Sequence, residues 1–292
     1  MQNSVQLKSF ELVASDIANV DVNLLHALSM GVRWPHRPND WQQTLQTGQG
    51  IVAVDGIGRV FGSAMWFPYG DDFATIGMVI TSPRMQAQGN GRWLMEQVLE
   101  RCTGRNLSLN ATEAAYNLYT SMGFRDEAIV YQCQGEVALA LPQLPPLEGE
   151  LVPLSAEHLD AIAKLDEVAF GVNRIQLLKL IADKANIYGL RRNDQFVGFS
   201  FCREFGRGKF IGPIIANDDY DAIQLVAVHL QGLKRKFVRV DTRENYGAFA
   251  DYIAQCGLGI FGTVTTMSKG KPFLNRRTGE PWVFGLAAHG WG

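Results

Sequence analysis

Hydrophobic and polar positions alternate in the same order twice along this chain. In the first half, IVAVDGIGRVFGSAMWF predicts a strand, a turn of DG type and a second strand; in the second half, YGLRRNDQFVGFSFCR predicts the same, with Asn193 and Asp194 turning. A third apolar run follows in each half, ATIGMVIT and then KFIGPIIA, and Ile76 and Gly77 recur at the matching positions Ile211 and Gly212. Both halves then predict helix, strand and helix, with LSLN and FVRVDT as the strands. Each second helix ends near a glycine, Gly123 or Gly257. Between the halves, LPQLPPLEGELVP places four prolines and a glycine where neither helix nor strand can continue. The expected organisation is an N-terminal domain over 1–140, a linker over 141–153 and a C-terminal domain over 154–292. Each domain is a copy of one mixed α/β unit.

A length of 292 residues suits two domains of ordinary size, and 47% hydrophobic residues suffice for two cores. Lys plus Arg is 27 against 29 for Asp plus Glu, a net charge of −2 that offers no general attraction to nucleic acid or to an anionic membrane. Cys102, Cys133, Cys202 and Cys256 are widely spaced and form no CxxC pair. That spacing argues against a metal site or a disulfide framework and for reduced thiols in the cytoplasm. MQNSVQLKSF lacks the apolar core of a signal peptide, and no run approaches a membrane span.

Chemistry enters at VITSPRMQAQGNGRWLM, Val79 to Met95, where an apolar strand passes through Gln86, Ala87, Gln88, Gly89, Asn90 and Gly91 into an amphipathic helix beginning near Arg92. A helix start offers unpaired N–H groups and a partial positive charge, so the turn suits an anion such as a pyrophosphate. It follows the third strand of an antiparallel meander rather than the first strand of a βαβ unit. Leu94 stands where the dinucleotide fingerprint needs a third small residue, and the GK[ST] of a P-loop is missing.

Q-x-x-G-x-G after a strand, followed by a helix and then by LNATEAAYNLYTSMGF, resembles the GNAT acetyltransferase superfamily. More narrowly, the whole chain resembles bacterial tandem-GNAT proteins with an ordinary first domain and a divergent second one. Ala87 and Asn90 stand where Gly and a branched apolar residue are usual, and Gln86 stands where Arg is frequent. The resemblance implies two tandem GNAT folds and acetyl-CoA as cosubstrate, with no metal. It places the pantetheine arm on Met78, Val79 and Ile80, and the pyrophosphate on the amides of Gln86 through Arg92. It gives Tyr119, of LY-x-x-x-GF, the task of protonating the departing thiolate. Transfer of an acetyl group to a primary amine of a small molecule or peptide, by direct attack in a ternary complex, is the implied reaction. The alternative is a catalytically silent CoA-binding or regulatory module.

The acceptor walls are expected at Trp34 and His36, between the first two helices, and at Trp66, Tyr69 and Asp72, between the second and third strands. His36, Asp71 and Asp72 are the nearest titratable groups for the amine proton, because ATIGMVIT carries no carboxylate. The second half does not repeat the site. A 135-residue offset carries Gln86, Gly89 and Gly91 to Asp221, Gln224 and Val226, preceded by acids that oppose a pyrophosphate. At an offset of 134, the spacing of Gly123 and Gly257, Tyr119 falls on Ile253, with Tyr252 beside it. The second lobe is expected to be structural or acceptor-binding, with WVFGLAA closing over the acceptor. Neither the acceptor nor the oligomeric state is specified by any residue.

Overall fold

The computed structural model describes residues 4–7, 10–274 and 276–292. It divides into two compact units: Met1–Leu109 with Trp291, and Asn110–Gly290 with Gly292.

The first unit opens with β1 (Ser4–Leu7) and β2 (Phe10–Asp16), then α1 (Val22–Gly31) and α2 (Pro38–Thr47). The meander follows as β3 (Gln49–Val54), β4 (Val60–Tyr69) and β5 (Phe73–Thr81); α3 (Asn90–Arg101) and the start of β6 (Asn106–Ala111) complete it. The sheet runs β1-β2-β3-β4-β5-β6, antiparallel except where β6 lies parallel to β5. Helices packed on this sheet explain why β3 and β4 are buried almost continuously instead of on alternate residues. Local chemistry sets the helix starts. Asp21 accepts from the Asn23 amide at 2.9 Å, and Pro38 opens α2 while the Asp40 carboxylate accepts from the Arg37 amide at 2.7 Å. The β3–β4 connection is longer than a DG turn: Asp55 accepts from the amides of Ile57 and Arg59, and Gly58, not Gly56, takes the left-handed conformation.

The second unit contains α4 (Glu113–Ser121), β7 (Arg125–Glu136), β8 (Glu150–Pro153), α5 (Leu159–Phe170), α6 (Ile175–Ala182), β9 (Ala185–Arg192), β10 (Gln195–Phe205) and β11 (Gly208–Ala216). It continues with α7 (Asp219–Leu230), β12 (Phe237–Thr242), α8 (Ala248–Gln255), β13 (Gly259–Lys269) and β14 (Trp282–Gly285). Its sheet runs β13-β7-β12-β11-β10-β9-β8, with β14 on β11. The two-residue β9–β10 turn at Asn193 and Asp194 has positive φ at both positions, as expected.

Two features concern the chain on either side of the expected linker. β7 precedes the linker in sequence, yet it lies between β12 and β13, antiparallel to both. Val130 of β7 is buried with Val264 and Leu286, and Gly135 approaches the Gly257 carbonyl so closely that a Cβ there would sit 2.2 Å from the oxygen. The last four residues of the expected linker form the edge strand β8, which pairs with β9.

Candidate active site

β4 and β5 are not a regular hairpin. Their register shifts by one residue between Ser63 and Met65, and the extra residue on β5 is accommodated at Met78, which has φ +51°. A left-handed non-glycine residue costs about 1 kcal/mol. The Ser63 hydroxyl donates to the Met78 carbonyl at 2.7 Å inside the core, and such a bond contributes about 1 kcal/mol in return. Ser63 was not among the residues singled out from the sequence; a lone polar residue inside the otherwise apolar FGSAMWF was the available signal.

Beyond the bulge, β5 loses its other neighbour. Parallel pairing with β6 runs from Phe73–Asn106 to Ile76–Leu109 and stops. From Gly77 onward, among the described residues, no strand pairs with that edge of β5. Met78 and Ile80 are buried, whereas Gly77, Val79 and Thr81 keep partial exposure. The result is a row of backbone groups on an open edge, able to pair with an extended amide-bearing chain.

The loop after β5 is braced by its own side chains. Gln86 donates from Nε2 to the Thr81 carbonyl at 3.2 Å, and Gln88 to the Arg84 carbonyl at 2.8 Å. Ala87 and Gly89 have φ +57° and +92°, turning the chain sharply into α3. Gly89 is the N-cap residue, so no side chain occupies the helix start and the anion position stays uncovered. Asn90 plays a part its sequence position did not suggest. Its side chain is fully buried and Nδ2 donates to the Phe61 carbonyl at 3.3 Å, tying the helix start to β4. Its Oδ1 has no partner among the described residues. Arg92 is exposed on the first turn, 4.0 Å from Glu96. The open edge, the left-handed turn and the uncapped helix start together fit a long cosubstrate carrying both amides and a pyrophosphate.

Two family models, each described as an acetyltransferase (GNAT) domain, match residues 46–126 and 162–282. The chain is a tandem GNAT superfamily protein. Among solved structures it is similar to a putative acetyltransferase from Pyrococcus horikoshii, with TM-score 0.80 and 18% identity over 100% of this chain and 99% of that one. A tandem GNAT protein from the clavulanic acid biosynthesis pathway gives 0.64 and 14%, over 89% of this chain and 99% of that one. A GCN5-related N-acetyltransferase from Sphaerobacter thermophilus gives 0.61 and 14%, over 91% and 98%. At these identities the likeness is one of fold. No curated protein sequence matches the chain.

In the second GNAT lobe the corresponding places are filled. β11 pairs with β12 only at Lys209–Val238 and Phe210–Arg239, and then the two strands diverge as β5 and β6 do. β14 occupies the gap, antiparallel to β11, with Ile214, Ile215 and Ala216 opposite Gly285, Val283 and Trp282. The first four residues of WVFGLAA therefore complete the sheet of their own lobe. The turn before α7 is only Asn217–Asp218, against the eight residues from Ser82 to Gly89 before α3. The fixed 135-residue offset breaks at this shortening, and the structural counterpart of Gly89 is the N-cap Asp218, not Gln224. Asp218 accepts from the Asp221 amide at 2.9 Å, and Asp221 is held by Arg192. Arg192 also donates to the Glu148 carbonyl and Gln224 to the Pro145 carbonyl, so the linker lies against the first turns of α7.

Tyr119 falls in the second unit, on α4. It is buried, its ring stands edge-on to Phe124 at 6.0 Å, and burial holds its phenol well above the ordinary tyrosine range. Its hydroxyl makes no hydrogen bond among the described residues. Ile253 is its counterpart on α8, and the neighbouring Tyr252 is engaged with Cys256.

The expected acceptor residues of the first unit form two groups. Trp34 and His36 lie before α2 with ring centroids 5.7 Å apart; His36 is 6.3 Å from the fully buried Trp41. Tyr69 stacks on Phe73 at 6.2 Å and donates to the Trp291 carbonyl at 3.1 Å, and Trp291 meets Phe67 edge-on at 6.4 Å. Trp66 is buried beside a cavity of about 570 Å³ that Ile17, Leu45 and Ile51 also line. Asp71 and Asp72 sit exposed at the hairpin tip, Asp71 3.8 Å from Arg105.

Proposed function

We propose that the chain transfers an acetyl group from acetyl-CoA to a primary amine of a small molecule or peptide, by direct attack within a ternary complex. The observation that carries this reading is the open edge of β5 beyond Ile76, beside a helix start left uncapped by Gly89. In this reading Met78, Val79 and Ile80 pair with the pantetheine arm, and an amide at the bulge polarises the thioester carbonyl. Such a donor is worth about 3 kcal/mol when aimed at a developing oxyanion. The amides of Gln86 through Arg92 hold the pyrophosphate, with Asn90 fixing the helix start through its buried side chain. Tyr119 keeps its proton because burial disfavours the phenolate, and it donates that proton to the departing thiolate. Trp34, His36, Trp66, Tyr69 and Asp72 line the acceptor approach. No residue on β5 can serve as base, so water or a group such as His36 takes the amine proton.

The repeating units in this reading remain 1–140 and 154–292, joined by 141–153, with the first repeat contributing β7 to the sheet of the second compact unit. Four buried, unpaired cysteines support a reducing, cytoplasmic setting. Among the described residues no helix is long and apolar enough to cross a membrane.

A second reading, a catalytically silent CoA-binding module, is favoured by the lack of a carboxylate on β5 and the exposure of Asp71 and Asp72. Calorimetric titration with acetyl-CoA, followed by thiol release across a panel of amines, separates the two. Binding with turnover of at least one amine supports transfer, whereas binding without turnover supports the silent module. Absence of binding overturns both.

A further inference from the structure

Arg243 directly follows the carboxyl end of β12, a strand parallel to β11. In open α/β sheets, that end of the strands is where ligands collect. Its Nη2 donates to the Thr266 hydroxyl at 3.3 Å, and Thr266 in turn donates to Asn110 at 2.7 Å. Nε and Nη1 of Arg243 are shut off from solvent and have no hydrogen-bond partner among the described residues. Neighbouring cations of the same unit are treated differently. Arg174 holds Asp166 through two nitrogens, and Arg239 holds Asp241 through two.

The acids nearest Arg243 are already committed. Glu127 accepts from the amides of Phe273 and Leu274, each at 3.0 Å, and Glu244 accepts from Trp282 Nε1 at 3.0 Å and from Arg276 at 3.2 Å. Burial, and then the charge of Arg174, pull the Arg243 guanidinium down to about 10, so it still carries its charge at neutral pH. A half-buried guanidinium with two sealed, unused nitrogens and no carboxylate of its own is a costly arrangement unless something else supplies the anion.

We propose that Arg243 anchors a binding site in the second unit for a small organic carboxylate, whose oxygens accept from its unused nitrogens. A singly charged carboxylate is favoured over a phosphate, because Glu127 and Glu244 lie near enough to oppose a second negative charge. Since the two nitrogens are sealed, binding is accompanied by a shift of the Arg243 side chain or of its cover. The proposal concerns this unit alone and stands independently of acetyl transfer.

The test is thermal denaturation of the full chain, without acetyl-CoA, at constant ionic strength. The probes are acetate, propionate, benzoate and the free amino acids, with their primary amides and inorganic phosphate as comparisons. At least one carboxylate is expected to raise the melting temperature saturably, while its amide does not. Arg243→Met removes the unpaired charge while keeping an apolar stem, so that variant should fold and give no response. Arg243→Lys keeps the charge without the planar fork and should bind the effective carboxylate at least tenfold more weakly. Failure of every carboxylate to act overturns the proposal, as does an undiminished response in Arg243→Met or a phosphate response of equal size. Should Arg243→Met fail to fold, an undiminished response in Arg243→Lys overturns it equally.

Discussion

The two lobes share one chain path and differ at the place where their central strands part. After Ile76, β5 leaves β6 and its edge stays open; after Phe210, β11 leaves β12 and β14 takes the gap. The register shifts at equivalent serines. Ser63 turns its hydroxyl onto the bulged Met78, whereas the Ser200 hydroxyl donates to the Leu225 carbonyl and accepts from His229 Nε2. The helix starts diverge in the same sense: Gly89 leaves α3 uncapped, while Asp218 caps α7. Three separate changes thus act together in the second lobe. They close the strand edge, redirect the serine and neutralise the anion position. A duplicated fold can keep its core and lose its site, because the core needs only buried apolar volume, whereas the site needs backbone groups left without internal partners.

The largest expected effect tests whether α4 carries chemistry that α8 does not. Tyr119→Phe removes only the hydroxyl, and kcat for acetyl transfer is expected to fall about 100-fold with little change in acetyl-CoA affinity or melting temperature. Tyr252→Phe should change kcat little. Wild-type turnover by Tyr119→Phe, under conditions where chemistry limits the rate, would make Tyr119 a packing residue. Because burial raises its pKa, Tyr119 itself should cause no loss of rate between pH 7 and 10.

Acid sensitivity should also be asymmetric. Burial lowers His229 of the second lobe to about 4, partly opposed by hydrogen bonding to the Ser200 backbone. The unfolded chain then binds the extra proton between pH 6.5 and 4, so the stability from this residue is full above 6.5 and falls as pH drops through that window. At pH 5 the loss is about 2 kcal/mol. Denaturant titrations of wild type and His229→Gln at pH 7 and pH 5 measure it; the same pH dependence in both proteins would exclude His229 as the cause.

Gly89→Asp gives the first lobe the kind of cap that Asp218 gives the second. It should weaken acetyl-CoA binding at least tenfold, about 1.4 kcal/mol, in a calorimetric titration of folded protein. Ser63→Ala comes next, with a loss of about 1 kcal/mol in unfolding free energy and weaker acetyl-CoA binding as Met78 loses its restraint. Ser200→Ala should leave that binding unchanged. The smallest effect is expected from Gln224→Asp, which lies on a helix already capped; equal losses of binding from Gly89→Asp and Gln224→Asp would defeat the one-site comparison.

Much of this was legible before any coordinates. The repeated order of strands and helices, the Asn193–Asp194 turn, the paired glycines at 123 and 257 and the glycine turn at 86–91 all rest on local rules. Period-two or continuous apolar runs make strands, positive φ selects Gly, Asn or Asp, and a helix start needs a cap or an anion. The contrast between Gly89 and the acids before α7 was legible for the same reason. A constant offset nevertheless misplaced the counterpart of Gly89, because it could not register a connection shortened from eight residues to two.

Tertiary structure decided the rest. Neither the placement of β7 between β12 and β13 nor that of β14 beside β11 is written in the period of either strand, since backbone hydrogen bonding is satisfied equally by any strand of suitable length. The left-handed Met78 is a similar case. Its residue type gives no hint of positive φ, and only the Ser63 hydroxyl and the surrounding sheet hold it there. The sequence by itself determined which elements form and where an anion would be welcome. Which strand edges stay open was left to long-range packing, where segments far apart in the chain compete for the same backbone partners.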